Sequence, residues 1–312
     1  MAETGITLFV YERPDHTRRV LDGLAENDVD ELYVFADGPK PDDDEAKIQA
    51  VREVVDDVDW CRTHVVEREE NWGLAESTID GINTVFEEND RIIVLEDDDV
   101  PAPAFVDYME RCLDAYADDD RVMNVTGYSP PIDVPPDYPY DVYFTYRDCS
   151  WSWGTWKDAW EKYERWPDEI VEQMERDEYV VRERTRKAGD DLFDIVEAAL
   201  NEEVDSWSVW WALALVRYNG LSVNPVTPYV KNIGNDGTGR HMHATSKYDV
   251  SIDDAVPADE LALPEQPFVD TTINERFNAF KTRERFDRVK HQFVRLFRRV
   301  SETVTRPQAG RR

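Results

Sequence analysis

The chain has 312 residues, 41% of them hydrophobic and ten of them tryptophan, which excludes a disordered protein and allows one large domain or two small ones. Its formal net charge of −32, with nine lysines and 27 arginines beside 68 acidic residues, resembles the surface of a protein from a salt-loving organism, and no nucleic-acid partner is expected of it. Cys61, Cys112 and Cys149 are too widely spaced for a zinc or redox pattern and suit a reducing, cytoplasmic setting, and the longest apolar stretch, Trp207 to Val216, is too short to span a bilayer.

Met1-Ala2-Glu3-Thr4 runs directly into a strand-like segment, with no leader pattern. Ile6 to Tyr11 is that strand, and Arg13-Pro14-Asp15 turns it into a helix around Thr17 to Ala25. Glu31 to Ala36 is a second strand ending in Asp37-Gly38-Pro39. A polar helix over about Asp43 to Val55 and a short strand near Thr63 to Val66 follow. Asn71-Trp72-Gly73 opens a helix that continues to about Glu88, and Arg91 to Val100 is the next strand. Strands alternating with helices at this spacing predict an α/β fold with a mostly parallel sheet flanked by helices and right-handed crossovers.

Within the Arg91–Val100 strand, Ile92 to Leu95 run straight into four carboxylates, Glu96 to Asp99, and Pro101 and Pro103 forbid a long continuation. The carboxylates therefore belong at a strand's carboxyl end, where open α/β sheets place their ligands. Four like charges there suit a hard divalent cation with oxygen ligands; they also suit a solvated acidic turn in a chain that is acidic everywhere.

Beyond Pro103 the pattern changes. Phe105 to Tyr116 is an amphipathic helix with Phe105, Tyr108, Met109, Cys112 and Leu113 on one face. Val122 to Gly127 is a strand, and five prolines between Pro130 and Pro139 mark a loop. Asp148 to Trp160 is rich in aromatics, and charged helices fill Glu161 to Glu203. Trp207 to Tyr218 is an apolar helix stopped by Asn219-Gly220. Leu221 to Val223 is a strand, and Asn232 to His243 a polar, glycine-rich loop. This divides the chain into a body over 1–250, a linker over 251–275 and a tail over 276–312. The tail carries 12 basic and 3 acidic residues, a net of +9 that leaves −41 for the rest. Phe286, Val289, Phe293, Leu296, Phe297 and Val300 recur there at helical spacing. Such a basic amphipathic helix suits a membrane surface or a partner, and equally its own acidic body.

Several motifs now stand together. Ile93-Val94-Leu95-Glu96-Asp97-Asp98, followed by Pro101-x-Pro103-x-Phe105, resembles the acidic motif of GT-A fold glycosyltransferases of the family 2 type, particularly the branch that reads Leu-Glu-Asp-Asp. Phe9-x-Tyr11-x-Arg13-Pro14 and Phe35-Ala36-Asp37-Gly38-Pro39 are similar to that branch's first two strand ends. Trp151-x-Trp153-Gly154-Thr155-Trp156 is similar to its tryptophan-rich acceptor segment, Asp205-Ser206-Trp207 to its Asp-Thr-Trp element, and Asn232-Ile233-Gly234 with His241 to its last active-site loop.

The resemblance implies a Rossmann-like GT-A domain over 1–250, its nucleotide-binding half about 1–103 and its acceptor half about 104–250. It implies metal-dependent, inverting transfer of a sugar from a nucleoside-diphosphate sugar, a UDP-sugar first, to a hydroxyl of a glycan, polysaccharide precursor or lipid-linked sugar. Asp98 would hold Mn²⁺ or Mg²⁺, with His241 as a further metal ligand or phosphate contact. Glu96 and Asp97 would contact ribose, sugar or metal-bound water. Tyr11, Arg13 and Asp37 would cradle base and ribose. Asp205 would be the general base, and Trp151, Trp153 and Trp156 an acceptor platform. The family usually has an uncharged residue where this chain has Asp99, which reads as a surface acid or as an extra ligand. Plainer readings stand beside these: Tyr11 at the core edge, Arg13 on the surface, Asp37 stabilising its own turn, Asp205 as a helix cap, the tryptophans as core, His241 as a solvent-exposed loop residue. Two other functions remain open, nucleotidyl transfer and non-catalytic binding of a nucleotide-sugar. Residues 1–30 contain only Gly5 and Gly23, which speaks against the glycine-rich phosphate loop of the first. Intact Glu96, Asp97, Asp98 and Asp205 speak against the second.

Overall fold

The computed structural model describes residues 3–41, 43–237 and 244–282. Its first half is wound as expected: β1 (Thr4–Val10), α1 (Pro14–Leu24), β2 (Glu31–Ala36), α2 (Glu45–Asp56), β3 (Arg62–Glu67), α3 (Leu74–Val85) and β4 (Arg91–Glu96). β1 lies between β2 and β4 and is parallel to both, with Leu8 level with Val34 on one side and Leu95 on the other. Ile92, Ile93, Val94 and Leu95 are all buried although successive side chains point to opposite faces. Both faces are therefore covered, the usual state of a parallel sheet built from crossovers. α1 and α2 pack together. α3 lies against the face that carries Phe9 and Phe35, whose rings come so close to Gly81 that a Cβ there would approach them to 2.6 and 3.1 Å.

The second half contains β5 (Asp99–Pro101), α4 (Phe105–Ala115), β6 (Val122–Thr126), β7 (Val142–Thr145), β8 (Trp153–Trp156), α5 (Lys157–Trp160), α6 (Asp168–Thr185), α7 (Leu192–Leu200), α8 (Trp207–Tyr218), β9 (Leu221–Pro225) and β10 (Val230–Asn232). The main sheet runs β3-β2-β1-β4-β8-β6-β9-β7, and β5 pairs separately with β10. β8 and β7 oppose the direction shared by the other six strands. The architecture is thus the α/β, Rossmann-like, helix-flanked sheet that the GT-A resemblance implies. α4 buries Phe105, Tyr108, Met109, Cys112 and Leu113, and α8 ends at Asn219 in the left-handed region, with Gly220 N–H bonded to Leu215 O at 2.7 Å.

Three expectations need correction. The strand expected over Arg91–Val100 is two strands, because the chain turns at Asp97–Asp98 and Asp99–Pro101 joins β10 instead of the main sheet. β8 lies within the aromatic-rich stretch from Asp148 to Trp160 and β7 between that stretch and the proline-rich loop, and neither strand was expected. The 251–275 stretch, read as a linker, is bonded to the body. Tyr229 Oη donates to Val256 O (2.6 Å), Tyr116 Oη to Pro264 O (3.1 Å), and Ala262 N–H to Asp141 Oδ2 (2.8 Å), so this strap is fastened to the body. A helix over 271–282 follows, placing Ile273 and Phe277 in a buried cluster with Tyr143. Residues 276–282 of the basic tail thus pack on the protein's own body; 283–312 lie outside the described residues. No helix among the described residues is long and apolar enough to cross a membrane.

Candidate active site

The strand order reverses between β1 and β4. The chain moves outward from β1 to β2 and β3, then returns to pair β4 on the other side of β1. Loops leaving the carboxyl ends of β1 and β4 diverge at such a point and leave a crevice. Arg13, at the N-cap position of α1 with Pro14 as its first residue, enters from the β1 side. Asp97 and Asp98 enter from the β4 side. The guanidinium pairs with both: Nη2 with Asp97 Oδ1, Nε with Asp97 Oδ2 at 3.3 Å, and Nη1 with Asp98 Oδ2 at 2.9 Å.

The turn is fastened from a distant part of the chain as well, through β10, which pairs with β5. Asn232, at the end of β10, donates from Nδ2 to Asp99 Oδ1 (2.9 Å) and to Asp98 Oδ1 (3.2 Å), and Ile233 N–H donates to Asp98 O (2.8 Å). Asn232 Oδ1 accepts from Gly234 N–H and Asn235 Nδ2. Gly234 is needed by close approach: a Cβ there would lie 1.9 Å from Asp98 Oδ2. Asp99 is fully buried and its other oxygen accepts from Ser152 N–H at 3.0 Å. This overturns the surface-acid reading of Asp99. Its carboxylate ties the acidic turn to the start of β8 and to the loop after β10.

Burial and crowding strain these charges. Burial, then repulsion from Asp98, Asp99 and Asp97, pushes the Glu96 carboxyl well above the usual range. Asp97 is raised by burial in spite of Arg13. Burial and Asp98 push Asp99 up to about 8, against the hydrogen bonds from Asn232 and Ser152. Burial works to lower the Arg13 pKa, yet Asp97 and Asp98 together raise it. Arg13 relieves only part of this crowding, and each upward shift favours the protonated carboxyl in the absence of a further cation.

The residues expected to hold a nucleotide sit at neighbouring strand ends. Asp37, after β2, accepts from Gly38 N–H and Trp72 N–H through Oδ1 and from Gly73 N–H through Oδ2, at 2.9–3.0 Å. It thereby fixes the loop that starts α3, where Gly73 adopts φ +81°. Tyr11 Oη donates to Asp43 Oδ2, at the foot of α2.

Asp205 is separate in character. It precedes α8 and its side chain is 69% exposed, 3.2 Å from Arg165 Nη2. Arg165 also pairs with Glu76 in the first turn of α3 and lies over the Trp166 ring at 4.2 Å. Ser206 holds the N-cap position of α8, so Asp205 is not the cap.

Two of the three tryptophans are not a platform. Trp153 is 0% exposed and stacks on Trp207 with ring centroids 5.0 Å apart, and Trp156 is buried in the same core. β8 is a central strand covered on both faces, which leaves these rings no surface for a ligand. Trp151 alone of the three stays half-buried, edge-on to Tyr128 and Tyr248. His241 lies outside the described residues.

Among the described residues no three His, Cys, Asp or Glu side chains converge as a metal cage. A magnesium- or manganese-type ion needs none when a substrate diphosphate supplies most of its oxygens, since one or two carboxylates then suffice. Asp98, on an over-charged turn at the strand edge, fits that arrangement. Sequence reasoning placed Asn232 in the expected last active-site loop but gave it no role, and did not single out Ser152 or Arg165.

No curated protein matches the chain. Among solved structures it overlaps a mannosyltransferase from Pyrobaculum calidifontis, in complex with GDP-Man and Mn²⁺, at 14% identity and TM-score 0.35, over 68% of this chain and 72% of that one. It also overlaps 4-diphosphocytidyl-2C-methyl-D-erythritol synthase from Anaerococcus prevotii at 9% identity and TM-score 0.37, over 80% and 94%. Likenesses this distant transfer no substrate. The sequence profile described as "Glycosyl transferase family 2", by contrast, matches residues 6–165, from β1 through the acidic turn to Arg165. The chain belongs to glycosyl transferase family 2.

Proposed function

We propose that the protein is a divalent-metal-dependent, inverting glycosyltransferase that moves a sugar from a nucleoside-diphosphate sugar, UDP-linked first, to a hydroxyl of a glycan or lipid-linked acceptor. The observation that supports this best is the acidic turn Glu96–Asp99 at the switch point between β1 and β4, facing Arg13. Tyr11, Arg13, Glu96 and Asp97 line the donor side, and Asp37 shapes it through the Trp72–Gly73 loop that it fastens. Asp98, with His241 as the expected second ligand, would hold Mn²⁺ or Mg²⁺, which when bound supplies Lewis-acid stabilisation of the departing diphosphate. Asp205 takes the proton of the acceptor hydroxyl as its oxygen bonds to the anomeric carbon; the sugar–phosphate bond breaks on the opposite side and the nucleoside diphosphate leaves. Exposure of Asp205 leaves it reachable by an acceptor that arrives from solvent. Trp151 is the aromatic left to meet that acceptor. The work is assigned to the cytoplasm, with the part of the basic tail beyond residue 282 assigned to a membrane face that presents the acceptor.

Nucleotidyl transfer is disfavoured by the segment between β1 and α1, Tyr11-Glu12-Arg13, which has no glycine for a phosphate cradle. The test is a panel of nucleotide-sugars scored for Mn²⁺-dependent thermal stabilisation and then for turnover, since a bound ligand raises stability by mass action. At least one donor should be bound and hydrolysed or transferred by the wild type and by no Asp98→Ala protein. If no donor is bound or turned over, or if Asp98→Ala changes nothing, the reading fails.

A further inference from the structure

We propose that Arg13 is the resident counter-cation of the acidic turn: in the donor-free protein its guanidinium holds the charge position that a divalent ion takes over, so that metal enters with the nucleoside diphosphate and not ahead of it. The inference rests on the metal-dependent reading above and adds an order of events and a second duty for Arg13.

Asp98 has both oxygens committed within the chain, Oδ2 to Arg13 Nη1 at 2.9 Å and Oδ1 to Asn232 Nδ2 at 3.2 Å. Gly234 closes over the same carboxylate, its absent Cβ leaving just enough room: that atom would stand 1.9 Å from Asp98 Oδ2 and 3.1 Å from Arg13 Nη1. The Asp98 side chain is 13% exposed as a result. A metal ion approaching this carboxylate meets a positive group already in contact with it. Among the described residues every ion pair of the turn runs to Arg13, which serves Asp97 as well as Asp98. Its charge is therefore what keeps the buried carboxylates together without metal, because one partner removed from a buried pair leaves the other uncompensated.

A diphosphate changes the balance. It brings pairs of negative oxygens that the planar guanidinium fork can meet two at a time, and it supplies a metal with ligands that the described residues do not gather. Arg13 sits at the N-cap of α1, with 19% of its side chain open to solvent. It can exchange Asp98 for phosphate by a side-chain movement, without a change of fold. The exchange conserves charge: the cation lost by Asp98 is replaced as the donor's charge gains Arg13.

The test reads metal binding, not turnover. Mn²⁺ is titrated into the protein alone and with UDP or GDP, followed by the free-Mn²⁺ electron paramagnetic resonance signal and by melting temperature. Wild type should bind Mn²⁺ alone weakly and show no melting shift without nucleotide. Arg13→Gln should bind Mn²⁺ alone about tenfold more tightly or better, since a like charge at contact distance has been removed, and should melt higher with Mn²⁺ alone. Arg13→Lys, which keeps the charge, should stay close to wild type in Mn²⁺ alone. Should Arg13→Gln fold poorly, Mn²⁺ alone is expected to restore its melting transition. The proposal is overturned if Arg13→Gln binds Mn²⁺ alone no more tightly than wild type, or if Mn²⁺ fails to stabilise it. If Mn²⁺ binds wild type and variants under none of these conditions, it is the metal-dependent reading itself that falls.

Discussion

The two carboxylate regions assigned to the reaction are built in opposite ways. Asp97 to Asp99 are held in a turn by Arg13, Asn232, Ser152 and Ile233, with bonds arriving from the N-cap of α1, the residue before β8 and the end of β10. Asp205 stands in solvent with Arg165 as its ion-pair partner. The first region is held in place by bonds within the chain, and its crowded carboxyls are a repulsion that a bound cation would relieve. The second is left open. A donor of fixed chemistry can be met by a preformed site, whereas an acceptor carried on a larger glycan or lipid needs an approachable base. Each half of the comparison makes a different claim about what a substitution should do.

The largest effect belongs to the preformed side. Asp98→Asn should lower turnover by about a thousandfold or more, in the range of losing a group that acts on transition-state charge. It should leave the melting temperature of the nucleotide-free protein unchanged or higher, because a carboxylate that crowds Glu96 and Asp99 is neutralised while Arg13 keeps Asp97 as its partner. Steady-state kinetics and a thermal melt on one preparation check both. A loss below tenfold would mean that the turn is structural and that the comparison is drawn between the wrong regions. Asp205→Asn should cost less, about a hundredfold to a thousandfold in transfer, the usual range for a general base. Donor affinity and melting temperature should not move, since the side chain is 69% exposed. Weakened donor binding in this variant would join the two regions into one.

Trp153→Ala separates stability from acceptor binding. The indole is fully buried against Trp207, Trp160 and Trp211, so its loss should cost about 3–5 kcal/mol in denaturant unfolding. The KM for acceptor, per folded molecule, should stay as in wild type. A selective rise in that KM would restore the ring to the acceptor site and contradict its burial.

The first region was partly legible in the sequence and the second less so, for physical reasons. The apolar runs of β1, β2 and β4 and the carboxylates beyond them are local patterns, and a parallel sheet covered on both faces writes itself as such runs. α8 was read to the residue from its apolar length and its Asn219-Gly220 stop. Asp99 was misread because its partners, Ser152 and Asn232, lie 53 and 133 residues away. No local pattern reports such a contact, and in a chain with 68 acids a surface reading is the natural default. β8 was missed because four residues buried on both faces show no alternation; its register comes from Val94 on one side and Thr126 on the other. The tryptophans there were read as an acceptor platform from the resemblance of their segment to the family's, and a resemblance of sequence does not report burial. Arg165 carried no signal at all, since its value lies in joining Glu76 of α3 to Asp205 of the α8 approach.

That bridge gives the smallest effect and the closest test of the contrast. Arg165 is 17% exposed, lies over Trp166 and pairs with two carboxylates that are 60% and 69% exposed. Arg165→Met keeps the stem over the ring and removes the charge. Pairs this open are screened by solvent, so stability should fall by less than about 1 kcal/mol. Transfer should fall by about threefold, with donor affinity unchanged, because Asp205 loses a restraint and not its chemistry. A loss as large as that of Asp205→Asn would show that the base works only when Arg165 holds it. The acceptor side would then be preformed like the acidic turn, and openness would describe its solvent exposure but not its geometry.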